Sequence, residues 1–230
     1  NVIDSTIARF AGNGAYLYAG PEYSVASTKA FTNMSAVLML LALTLSETDN
    51  VERARVIRGL REMPQRMSNY LHSEIDFESI VDLLVDSKTA LFIGRGPNSH
   101  IASEAALKMM EIAYLPCIAY PGGELKHGPI ALIEEGTPVI AIAPDDSHYP
   151  KMEANIRECA SRGANVILVT NRETPVEDYC ARVIRTPPTD PFLSPFMSIM
   201  PLHLLAYHLA VRLGRNVDRP RNLAKSVTVV

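Results

Sequence analysis

The stretch Thr89-Ala90-Leu91-Phe92-Ile93-Gly94-Arg95-Gly96-Pro97-Asn98-Ser99 decides the fold. Its opening residues, TALFI, are a short apolar run of strand length that meets a glycine turn at once. Residues 101–114 then continue as an apolar helical pattern. Strand, glycine turn and helix in this order is how α/β sheets build anion sites at helix N-termini. The turn carries only Gly94 and Gly96, so the dinucleotide fingerprint is absent, and no Gly-Lys-Ser/Thr follows to make a P-loop. Taken alone, the turn argues for a parallel sheet more than for a phosphate.

Outward from that stretch, residues 117–120, 138–143 (PVIAIA), 165–170 (NVILVT) and 181–185 (ARVIR) have the same strand character. Residues 151–162 place Met152, Ile156, Cys159 and Ala160 on one helical face and end at Gly163, where a helix C-terminus favours glycine. Residues 196–213 read as one long apolar helix. Strands alternating with helices predict an α/β protein built on a doubly wound parallel sheet. Upstream, residues 77–85 read as a short helix, and residues 51–71 as a helix that Pro64 should kink or divide. Residues 32–45 are apolar almost all round, which predicts a buried helix. The small, hydroxyl-rich segment 23–31 before it would leave N–H groups pointing beyond the helix start. Val2-Ile3 and Tyr16-Leu17-Tyr18 are candidate extended segments. The tail, residues 214–230, is cationic and then apolar without a helical period, as if built to be tucked in rather than to fray.

Composition narrows the class. The 230 residues are 47% hydrophobic and 20% charged, which suits a soluble globular protein with a sizeable core. A net charge of −3 gives no electrostatic case for nucleic acid or an anionic membrane. Cys117, Cys159 and Cys180 are widely spaced and odd in number, so a disulfide framework is not expected and a reducing cytoplasm is the default. The longest apolar run, residues 36–43, falls far short of the roughly 20 needed to span a bilayer. A chain opening on Asn1 without a signal pattern suggests a piece of a longer protein.

The chemistry concentrates in residues 106–129, ALKMMEIAYLPCIAYPGGELKHGP. Glu104, Lys108 and Glu111 recur at spacings of four and three, on one helical face. As a solvated stripe they would contribute roughly a few tenths of a kcal/mol. The helix around them is apolar at nearly every other position, so the stripe is expected to face a cleft. A partly buried carboxylate with a lysine one turn away suits a general base. His127 follows the Pro-Gly-Gly break on an irregular segment, beside Lys126. His203 and His208 lie five apart on an apolar helix and read as structural, and no third ligand makes a metal site. Lys225 is either a surface charge or an amine reaching into a site.

Four segments together resemble a known family: GPEYSVASTKAF (20–31), EAALKMMEI (104–112), ELKHGP (124–129) and DRPRNLAKSVTV (218–229). They are similar to the sugar-isomerase (SIS) half of the glutamine–fructose-6-phosphate aminotransferases, the glucosamine-6-phosphate synthases. The similarity runs along the whole chain, and the tail is its most specific part. It implies the end of a first SIS subdomain with a connecting helix at 1–72, a complete second subdomain at 73–213, and a catalytic tail at 214–230. It also implies formation of glucosamine 6-phosphate from fructose 6-phosphate with ammonia from an N-terminal glutaminase domain, in a cytoplasmic homodimer. No metal or organic cofactor, nucleic acid or membrane is implied. By motif, Glu111 matches the base that moves a proton between C1 and C2 of the sugar. His127 matches the ring-opening histidine, supplied to a neighbouring subunit's site, and Lys225 the tail lysine linked to the C2 carbonyl. Lys108 matches a lysine near the enediolate oxygens and Glu104 a glutamate of the same helix. Val25, Ser27 and Ala224 match residues at the sugar site, and Arg221 an arginine that holds the tail closed. The family's phosphate-binding loop would precede Asn1, so this chain alone is expected to be inactive or nearly so. Two alternatives stay open: an SIS deaminase or deglycase of amino-sugar phosphates, and a non-catalytic sugar-phosphate-binding module.

Overall fold

A computed structural model describes residues 2–173 and 177–225. In chain order, α1 (Thr6–Ala11), α2 (Lys29–Leu45), α3 (Asn50–Leu71) and α4 (Phe77–Val81) lead into β1 (Ala90–Gly94). Then follow α5 (Pro97–Lys108), β2 (Cys117–Pro121), β3 (Pro138–Ile142), α6 (Tyr149–Ala160), β4 (Asn165–Thr170), β5 (Arg182–Arg185) and α7 (Ser194–Arg212).

The five strands form one sheet, ordered β2-β1-β3-β4-β5 and parallel at every pairing. Both faces are covered, and the alternation along each strand sorts its side chains between two cores. Ala90, Phe92, Ile140, Ile142, Ile167 and Val169 face α4, α5 and α7. Leu91, Ile93, Val139, Ala141, Val166 and Leu168 face α6 through Met152, Ile156 and Cys159. Strands wetted on neither face are read as continuous apolar runs rather than alternating ones, which is why TALFI, PVIAIA and NVILVT were legible. The chain leaves β1 on one side and β3 on the other, so the sheet's switch point lies at their carboxyl ends. Gly94 is required there by close approach: a Cβ would run into the Asn98 carbonyl of the turn that starts α5.

The helices before the sheet build a third core. Asp49 caps α3 by accepting the Val51 and Glu52 N–H groups at 2.8 and 2.9 Å. Val56, Met63 and Tyr70, two turns apart each time, pack on Leu193, Phe196, Met197 and Met200 at the start of α7. The helix runs unbroken through Pro64, against the expectation of a division there.

Several other expectations are corrected. α2 forms, beginning at Lys29, but none of its residues is buried. Ala36, Met39 and Leu43 touch the third core, while Leu38 and Leu45 are 63% and 77% exposed. An apolar period reports that a helix wants cover all round, not that this chain supplies it. Val2-Ile3 and Tyr16-Leu17-Tyr18 join no ladder, and Tyr18 has φ +50°, a left-handed value incompatible with a strand. α4 stops at Val81 and gives way to turns. α7 has the length and hydropathy of a membrane span, but 67% of it is buried in the fold, as a core helix.

Candidate active site

The helix expected over 101–114 is two elements. α5 ends at Lys108, and a π turn, Met109–Ala113, carries Glu111. Tyr114 closes it in the left-handed region at φ +61°. A π turn adds a residue per turn, a local cost that persists where it re-aims a side chain. It leaves the Glu104–Lys108–Glu111 cluster intact. Lys108 Nζ lies 2.6 Å from Glu111 Oε2 and 3.5 Å from Glu104 Oε1. The Lys108 side chain is only 4% exposed, whereas those of Glu104 and Glu111 are 14% and 21% exposed. The stripe therefore faces inward, as its apolar surroundings suggest. Burial pushes the Glu104 carboxyl above its ordinary value, with Lys108 pulling it back.

The tail folds across this cluster. Val25 N–H donates to the Asp218 carbonyl at 3.2 Å, and the Ser24 hydroxyl to that of Val217 at 2.8 Å. The Arg221 N–H donates to Tyr114 Oη at 2.7 Å, and the Arg221 guanidinium sits 4.4 Å from that ring's centre. Lys225 Nζ then reaches the Glu22 carbonyl at 2.5 Å, with the Glu22 carboxylate 3.6 Å away. Sequence reasoning passed over Glu22. Its Oε1 accepts the Ala30 N–H at 3.1 Å and the Ser27 hydroxyl at 3.3 Å, so it caps α2 while it holds the tail lysine. Burial pushes its carboxyl up, but the Ala30 N–H, the Lys225 charge and the Ser27 hydroxyl outweigh this and leave it below the ordinary value. No local sequence pattern marks that role, which joins residues 203 apart in the chain.

These contacts border an open cleft of about 600 Å³, lined by Val25, Glu111, Ala224 and Lys225 together with Val2, Gly20, Pro21, Glu22 and Leu223. That size suits a small metabolite. Four of the nine sequence-derived site residues thus converge on one space. Lys108 and Glu104 stand behind Glu111, Ser27 behind Glu22, and Arg221 behind the tail. His127 stands apart. It is exposed at the end of a 3₁₀ turn, Gly122–His127, and is absent from the cavity lining. Residues 226–230 of the tail motif lie outside the described residues. The described lining offers an acid, an amine and a second acid; Lys225 is its cation.

The family model for the SIS domain matches residues 83–213, more than half of the chain. The chain belongs to the SIS-domain family. Within it, the whole chain aligns at 44% identity with a Chlorobaculum tepidum protein named glutamine–fructose-6-phosphate aminotransferase (isomerizing), and at 42% with a Legionella pneumophila protein of the same name. In both cases the chain spans 38% of the relative's length. Among solved structures, the C-terminal domain of glucosamine-fructose-6-phosphate aminotransferase from Francisella tularensis superposes with a TM-score of 0.89 at 32% identity. That match covers 96% of this chain and 64% of that one. The five-stranded parallel sheet described above is thus an SIS sheet.

Proposed function

We propose that this chain is the catalytic part of an isomerising aminotransferase that forms glucosamine 6-phosphate from fructose 6-phosphate and ammonia. The observation that carries the reading is the meeting of Glu111 and Lys225 on one cavity, although they are far apart in sequence. The Lys225 amine adds to the C2 carbonyl and expels water, leaving an imine; ammonia then displaces the lysine. Glu111 removes a proton from C1 and returns it to C2, which converts the ketose imine into the amino aldose. The Lys108 ammonium, held at 2.6 Å from Glu111, supplies positive charge beside the enediolate-like intermediate. Glu104 fixes Lys108 from the other side, while Val25 and Ala224 wall the sugar and Arg221 locks the tail. His127 opens the sugar ring in the site of a second copy, which makes the working form a homodimer. Residues 1–72 are read as the end of a first SIS subdomain with its connecting helix, 73–213 as the second subdomain, and 214–230 as the catalytic tail. Ammonia arrives from a glutaminase domain of the parent protein, in the cytoplasm.

The described lining contains one cation, Lys225, so most of the phosphate grip is read as coming from elsewhere. The chain alone is accordingly expected to turn over fructose 6-phosphate poorly. The test joins it behind the preceding part of the Chlorobaculum tepidum relative and follows exchange of the C1 proton of fructose 6-phosphate with deuterated water. Exchange that vanishes in Glu111→Gln and persists in Lys126→Ala is expected. Unchanged exchange in Glu111→Gln would refute the assignment. Borohydride trapping of the sugar on Lys225 tests the imine.

A further inference from the structure

The Lys108 ammonium has three N–H bonds and two carboxylate neighbours, Glu111 and Glu104. With its side chain 4% exposed, the third proton points into protein rather than bulk water. A second cavity, of about 210 Å³, is lined by Lys108 with Ser24, Thr28, His203, Tyr207 and Asp218. That volume is ample for a bridging water, and the hydroxyl and carboxylate groups provide the polar partners such a water needs. His203 comes from the opposite element, α7, and its Nε2 is buried with no protein partner. A buried nitrogen left without a hydrogen bond costs on the order of 1–3 kcal/mol, so a core position has no use for it unless the cavity completes its bonding.

We propose that His203 is a positioning residue for the isomerisation: its Nε2 lone pair accepts, through a cavity water, the third proton of Lys108 and so aims that ammonium at Glu111. This rests on the reading of Glu111 as the base. It requires the ring to be neutral with its proton on Nδ1. Burial, and then the charge of Lys108, press the imidazole down to about 4, which keeps it neutral at working pH. The charged groups around the ring agree. His203 also lines a groove with Lys29 of α2 and Met67 and Ser68 of α3. Lys108, paired with Glu111 and Glu104, and Lys29 share these linings with His203, as do Asp218 of the tail and Tyr207 of α7. A cationic His203 would compete with Lys108 rather than accept from it.

The test has two arms. In the 230-residue chain, histidine ¹⁵N spectra recorded from pH 7 to 3.5 should show a bare Nε2 on His203 that takes up its proton below pH 5. In Lys108→Met that midpoint should rise by roughly one unit as the neighbouring charge is lost. A proton on Nε2 at pH 7, or a midpoint that ignores Lys108→Met, overturns the proposal whatever Glu111 does. In the joined protein, His203→Leu should lower kcat for C1 exchange about tenfold with KM unchanged. His203→Gln, which keeps an acceptor, should stay within about threefold of wild type. Equal kcat in His203→Leu and wild type overturns the proposal, while loss of exchange in Glu111→Gln independently confirms the base. If Lys108→Met does not fold, the His203→Leu and His203→Gln pair still decides.

Discussion

Single residues set the chemistry of this molecule through burial. His203 shows the thermodynamic side of that. In the folded chain its imidazole takes a proton near pH 4, whereas an unfolded chain does so near 6.5. Between those values the unfolded state holds more protons, so stability falls as pH drops from 6.5 toward 4 and this group adds no further loss below 4. The full shift corresponds to ~3 kcal/mol. Urea unfolding of the wild-type chain at pH 7 and pH 4, set beside His203→Gln, should show the wild type losing about 2–3 kcal/mol more. Parallel losses in the two proteins would mean that His203 is not buried as a neutral ring. At the same scale, Glu22 shows what sequence hides. Nothing in Gly20-Pro21-Glu22 beyond a punctuation mark marks a carboxylate that caps one helix and anchors the tail lysine from the other end of the chain. That role exists only once two distant segments meet, and no local pattern encodes it.

At the scale of elements, the strands were legible and the special turns were not. TALFI, PVIAIA and NVILVT form β1, β3 and β4 because apolar runs of this length have few other solutions. Phe92, wholly buried at the centre of β1 and paired with both Ala119 and Ile140, carries that logic. Phe92→Ala should cost about 3–5 kcal/mol in urea unfolding, and a loss below ~1 kcal/mol would contradict its place in the core. The π turn at Met109–Ala113 had no such signature, because Met-Met-Glu-Ile-Ala suits an ordinary helix and the extra residue per turn is imposed by packing. α2 was legible as a helix and misread as buried, since periodicity measures the wish for cover alone. The expectation of a tucked tail holds only in part: residues 221–225 are exposed, and 226–230 lie outside the described residues. The tail is nevertheless clamped at Tyr114, which receives the Arg221 N–H and lies under both Arg221 and Arg215. One hydrogen bond and two exposed cation–π contacts together hold the tail by about 2 kcal/mol. Tyr114→Leu should therefore speed tryptic cleavage after Arg221 at least tenfold, with Tyr114→Phe intermediate. Equal cleavage rates would place the tail's anchor elsewhere.

The whole molecule presents its chemical groups in two directions. Glu111 and Lys225 close on one cavity, while His127 stands exposed on another part of the surface, at the end of the Gly122–His127 turn. His127 is absent from the lining that Glu111 and Lys225 share, and in the proposed function it serves the site of a second copy. On that proposal the pair is closed by two-fold symmetry, so whatever one copy lends, it also receives. That reciprocity makes a sharp prediction for the joined protein. His127→Asn and Lys225→Ala should each be nearly inactive as homodimers, since each spoils every site. When the two are unfolded together and refolded at equal amounts, half the dimers should be mixed. In a mixed dimer, one site receives both substitutions and the other receives intact Lys225 from one copy and intact His127 from its partner. Activity should return to on the order of a quarter of wild type, the product of one half of the dimers and one half of their sites. If His127 instead served the site of its own copy, every site in the mixture would keep one defect and no activity would return. The exposed histidine loop and the lysine of the tail would then have to be brought together within one chain, and the shared-site reading would be lost.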